Sequence, residues 1–145
     1  MDPEVDFALS SAAEAAARLL AIVLSANGRI DERELAVLDR LQACERLSIG
    51  RDHLLDLVEQ NLRHTQRVLR FASGLGLPDH ARMLRLQQQV DDPALRLLVC
   101  RLAAAIITAD GQVSDEDRDV YGFLLGQWGL TQSMVAQAIM RDRLH

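Results

Sequence analysis

The sequence predicts an all-α fold: one domain over residues 1–145, built as a helical bundle of about seven helices. Three observations lead there. Apolar residues recur at the three-and-four spacing of a helix face through almost the whole chain. Alanine and leucine supply most of the apolar content, while aromatics make up only 3%. No stretch alternates apolar and polar residues as a half-buried strand would.

In chain order, Leu9, Ala13, Ala16, Leu20 and Val23 mark one face of a first helix, widened by Leu19, Ile22 and Ala26. A second helix is predicted from Glu32 to Cys44 on Leu35, Leu38 and Leu41. A third runs over 52–72, with Leu54, Val58, Leu62, Thr65, Leu69 and Ala72 on one stripe, and the Gly74-Leu75-Gly76 loop with Pro78 ends it. Asp79 opens a short helix to Val90. Asp92-Pro93 pairs an N-cap with proline at the first helical position, so a helix should start there and reach Thr108. It is apolar nearly all round except for Arg96 and Arg101, which predicts a central position. Two more helices follow at 115–127 and 132–143, the last capped by Thr131.

Composition removes several chemistries. All 16 cationic residues are arginine, against 21 Asp and Glu, for a net charge of −5. Without lysine there is no Walker-A phosphate loop and no Schiff-base or pyridoxal-phosphate chemistry. An acidic, aromatic-poor chain is also a poor nucleic-acid binder. The longest apolar runs, Leu19–Leu24 and Leu102–Ile107, are far shorter than the ~20 residues that cross a bilayer, so no membrane insertion is expected. The acidic start lacks the basic region of a secretory signal, which predicts a cytoplasmic protein. Cys44 and Cys100 lie in apolar helical stretches and read as buried free thiols.

The chain repeats itself. LAIVLSANGRIDERELAVL from Leu20 aligns without gaps to AAAIITADGQVSDEDRDVY from Ala103, an offset of 83. Gly28 meets Gly111, Ser25 meets Thr108, Asn27 meets Asp110, and Glu34 meets Asp117. The repeat covers about 20–60 and 103–143 and predicts two pseudo-symmetric halves that superpose Gly28 on Gly111. The Leu9–Ala26 and Leu95–Ala109 helices should then both be largely buried.

Both turns resemble the second half of a calcium loop, but Val23 and Ile106 stand where the first ligand would be, so a full EF-hand is excluded. Helix capping accounts for most of the acids. Asp31 and Ser114 are natural N-caps with Glu34 and Asp117 three residues on, and Glu32, Asp115 and Glu116 favour the positive helix end. Asp110 does not fit that account, because it follows a helix C-terminus and faces further acids. Two readings stand: a solvated acidic turn, or a hard cation (Ca²⁺ or Mg²⁺) held by Asp110 and Asp117 with Asp115 or Glu116 assisting.

The segment RLLVCRLAAAIITADGQVSDEDRDVYGFLLGQWGLT, from Arg96 to Thr131, resembles the tellurite-resistance TerB family, marked by an Ala-Asp-Gly turn, an acid seven residues after the Asp, and an LGL-like helix end. LSANGRIDERE in the first half looks like the family's first copy of that motif. The resemblance implies a TerB-like all-helical domain and a non-enzymatic bacterial stress-response protein with metal-binding acids. It also implies other tellurite-resistance proteins as partners, some of them membrane-associated. The family's acidic positions fall on Asn27, Glu34, Asp110 and Asp117; Asn27 replaces an Asp, and Asp117 replaces a Glu.

Elsewhere, His53 and His64 lack zinc-site spacing and read as solvated. Ser10, Ser11 and Ser25 have no base placed beside them. Arg63, Arg67 and Arg70, with Arg82 and Arg85 across the loop, form either a solvated face or a docking surface for an acidic partner or anionic lipid. An interaction module that presents a groove or this arginine face, without metal, is the alternative to the metal-binding reading.

Overall fold

The computed structural model describes the backbone of residues 3–26, 31–71, 77–109, 111 and 113–144, and side chains within 12–26, 31–63, 81–109, 111 and 113–141. These residues form eight helices and no strand: α1 (Pro3–Ser25), α2 (Glu32–Arg40), α3 (Ala43–Leu47), α4 (Arg51–Phe71), α5 (Leu77–Gln89), α6 (Pro93–Ile107), α7 (Asp115–Trp128) and α8 (Gln132–Leu144). The all-α expectation holds.

The helix starts follow local capping chemistry. The Asp92 carboxylate accepts from Ala94 N at 3.0 Å with Pro93 in the first turn, as the dipeptide predicts. Asp31 accepts from Arg33 N at 2.8 Å, Ser114 Oγ from Asp117 N at 3.1 Å, and Thr131 Oγ1 from Met134 N at 3.2 Å. At the end of α7, Gly129 turns left-handed at φ 66° and lets Leu130 N reach Leu125 O at 2.9 Å.

One predicted helix is two. The helix expected over 32–44 stops at Arg40, because Gln42 adopts φ 56° and its N–H turns back to Asp39 O at 3.1 Å. The break re-aims the chain so that Ala43 and Leu47, one helical turn apart, are both buried. It also brings Arg51 at the start of α4 onto the Asp39 carboxylate, at 2.9 and 3.0 Å. The left-handed cost at Gln42 is offset by this tertiary burial. The corresponding stretch of α7 runs through unbroken.

α1 is the centre of the molecule. Its residues from Ala15 to Ser25 are buried except Arg18 and Ile22, and it packs on α3, α4, α5, α6 and α7. α6 packs on α1, α2, α7 and α8, with Val99, Cys100, Leu102, Ala103, Ile106 and Ile107 buried. Its opposite face is only half covered, which the all-apolar reading of this helix did not foresee.

Several local features recur at the 83-residue offset. Ser25 Oγ bonds Ala21 O at 2.8 Å, and Thr108 Oγ1 bonds Ala104 O at 2.8 Å. Ala26 N reaches Val23 O at 3.3 Å, and Ala109 N reaches Ile106 O at 3.2 Å. Packing is reciprocal as well: α2 lies on α6 and α7 on α1, while α4 lies on α1 and α8 on α6.

Polar groups tie the remaining helices in. Gln87 of α5, 2% exposed, donates from Nε2 to Leu124 O at 3.1 Å, and its own carbonyl accepts from Trp128 Nε1 at 3.2 Å. The Arg96 guanidinium sits 5.8 Å from the Trp128 ring centroid and bonds Val90 O at 2.6 Å.

Candidate functional site

The acidic turns come first. Asn27, Gly28 and Asp110 lie outside the described residues, so the expected superposition of Gly28 on Gly111 and the central cation ligand do too. Gly111 has the left-handed φ of 78° that a helix-ending glycine supplies, and its N–H reaches Thr108 O at 3.1 Å. Asp115 and Glu116 are exposed at the start of α7. Their neighbour Asp117 is 3% exposed, and its repeat counterpart Glu34 is 2% exposed. Both carboxylates therefore face the interior, one helical turn after a capping residue, and each makes interactions within the chain. Among the described residues, no three His, Cys, Asp or Glu side chains converge as a metal-binding group.

On the arginine face, Arg63 is exposed, while the side chains of Arg67 and Arg70 lie outside the described residues. His53 is exposed and bonds Glu14 Oε2 at 2.7 Å, fastening α4 to α1. The two cysteines are free thiols. Burial pushes Cys100 up to about 12 and also raises Cys44, where the Asp39 carboxylate adds to the effect. A thiol held above its usual range stays protonated and is a poor nucleophile.

A groove of about 590 Å³ opens on the half-covered face of α6. One wall is α2 and α3, carrying Arg40 and Arg46. The floor is α6 from Leu98 to Ala105 with Thr108 and Ala109 just past its end, and the opposite wall is α8, with Gln132 and Ile139. Along α6 the lining residues Leu98, Arg101, Leu102 and Ala105 follow one helical stripe. Among the described residues its walls and floor are largely apolar, and the charged residues that line it, Arg40, Arg46 and Arg101, are all arginines. Only Leu102 among the lining residues is buried; the others are half-buried or exposed. This is an open trench and not an enclosed cavity.

α2 ends at Arg40, and after the left-handed turn at Gln42 the wall continues with Arg46 of α3. Tyr121 donates from its hydroxyl to Gln132 Oε1, holding the start of α8 against α7. Arg40, Arg46 and the alanine floor were not singled out by sequence reasoning, and Arg101 was noted only as an interruption of an apolar helix. The one available sign was α6 itself, whose apolar circumference is larger than four neighbouring helices cover.

Set beside known proteins, the chain matches no family model, no curated protein and no solved structure.

Proposed function

We propose that this protein is a non-enzymatic interaction module whose recognition surface is the groove between α2, α3, α6 and α8. The observation that carries this reading is the coincidence of an apolar floor with three arginines and, among the described residues, no acid, in a chain of net charge −5. Charge of the minority sign gathered at one concave place favours an anionic partner. The raised thiols of Cys44 and Cys100 support a binding role over a catalytic one. No described helix is long and apolar enough to cross a membrane.

The test is photo-crosslinking in the native host, with a photoreactive phenylalanine at exposed Thr108 on the groove's edge and, as control, at exposed Gln60 on α4. The reading expects a discrete adduct from Thr108 and none from Gln60. Equal adducts from both sites, or none from either, would contradict it.

A second reading is a TerB-like stress-response protein that holds Ca²⁺ or Mg²⁺ weakly at its second turn, through Asp110 and Asp117 with Asp115 or Glu116 assisting. It places the protein beside other tellurite-resistance components. The recurrence that favours it is the burial of Glu34 and Asp117 at equivalent positions, since a carboxylate leaves water only at a cost that nearby cations or donors must offset. It also takes the two halves as pseudo-symmetric, which the repeated hydroxyl bonds of Ser25 and Thr108 and the reciprocal packing support. A half calcium loop should bind no tighter than roughly 10⁻⁴ M. Calorimetric titration of wild type and Asp110→Asn decides it: the variant loses the metal response if the site exists. An unaltered response would leave the turn as a helix cap.

A further inference from the structure

We infer that the groove takes an acidic, amphipathic α-helix of another protein, laid along α6; this rests on the groove being the recognition surface. The length fits. The floor runs roughly 10 Å along α6 from Leu98 to Ala105 at 1.5 Å per residue and continues past the helix end through Thr108 and Ala109, room for at least two turns of a partner helix. The relief fits too, because Ala105 and Ala109 lower the floor where a partner backbone must approach, and Leu98 and Ile139 rise beside it for its apolar side chains.

Charge sets the partner's orientation and sign. Arg40 and Arg46 stand on the α2–α3 wall and Arg101 on α6, whereas the α8 wall contributes uncharged Gln132 and Ile139. The partner should carry carboxylates along one flank of its apolar stripe, the flank facing α2 and α3. Arg46 and Arg101 interact within the chain as well, and a guanidinium presents five N–H donors in a planar fork.

Other occupants fit less well. A second copy would have to offer an exposed apolar stripe edged with acids. The large apolar side chains exposed among the described residues are Leu84, Met134 and Met140, and their nearest charged neighbours along the helix are Arg85 and Arg141. A lipid surface is planar and cannot follow a recessed floor that reaches Leu102 at 2% exposure.

The probe is a designed helix of about 16 residues, fluorescein-labelled, with leucines at the a and d positions and glutamates on one flank. It is compared with a scrambled peptide of the same composition, an arginine-for-glutamate version, and phosphatidylglycerol vesicles. Fluorescence anisotropy on the full chain should show the acidic amphipathic peptide binding at least tenfold tighter than either control peptide, and several-fold weaker at high salt. Arg40→Glu, at an exposed position, and Ala105→Phe, which fills the floor, should each weaken it at least tenfold, with folding verified by circular dichroism. Equal binding of the scrambled peptide, tighter binding of the basic one, or binding to vesicles alone would overturn the acidic-helix assignment. If these peptides fail while the probe at Thr108 still crosslinks a partner in cells, the groove stands and its occupant is different. Loss of both removes the groove as well.

Discussion

Truncating one leucine in each of the two central helices tests the architecture quantitatively. Leu19 of α1 and Leu102 of α6 are the same residue type at equivalent repeat positions, 0% and 2% exposed. Leu→Ala removes three carbons, about 2.4 kcal/mol of transfer free energy at ~0.8 kcal/mol each. A partly relaxed cavity raises the total to about 3–4 kcal/mol. With an unfolding entropy near 2.1 cal/mol/K per residue, a chain of 145 residues should lose about 10 °C in Tm for each variant. Urea denaturation followed by helix circular dichroism reads the loss directly, and an unchanged m-value confirms that the same transition is being measured. Leu84→Ala, at 37% exposure on α5, is the control and should cost less than about 1 kcal/mol. If Leu19→Ala or Leu102→Ala falls within about 1 kcal/mol of wild type, that helix is not central and the core described above is wrong.

Three further outcomes follow from particular contacts. Ser114→Ala removes the oxygen that accepts from Asp117 N and should cost about 1 kcal/mol in chemical denaturation, with Ser114→Thr nearly neutral. The only tyrosine, Tyr121, is pushed up from 10.0 to about 12 by burial, with the neighbouring Cys100 adding to it. The unfolded chain therefore loses this proton first, so stability falls as pH rises from 10 towards 12; near-ultraviolet absorbance should show no tyrosinate transition near pH 10 until the fold opens. Thiol titration with an aromatic disulfide should leave Cys100 unmodified until denaturant is added, while half-buried Cys44 reacts slowly; rapid reaction of both would contradict the burial of α6.

The features legible in the sequence were those set by neighbours in sequence. Asp92-Pro93, Ser114 and Thr131 mark helix starts because an N-cap acts on a backbone N–H two or three residues away. Helical type was equally plain from apolar spacing, and α1 is buried from Ala15 to Ser25 except at Arg18 and Ile22, as its composition predicted. The break at Gln42 was not legible, since no glycine or proline announces it. It follows from where Ala43 and Leu47 find a core, a property of the folded chain. The groove was hidden for the same reason. Arg40, Arg46 and Arg101 are scattered over 61 positions and become neighbours only when α2 and α3 flank α6. The acidic turns drew notice because their residues are adjacent in sequence. Yet the structure turns Glu34 and Asp117 inward and leaves Asp115 and Glu116 exposed, a division that charge pattern alone does not contain.

The most direct test of the groove is a residue-by-residue map of amide resonances during titration with the acidic amphipathic peptide. The account predicts perturbations confined to the groove: residues 37–41 and 46 on one side, 98–109 along α6 and just past its end, and 132–139 on α8. Perturbations centred instead on Arg63 of α4 or on Asp115 and Glu116 of α7, or spread evenly over the surface, would contradict it.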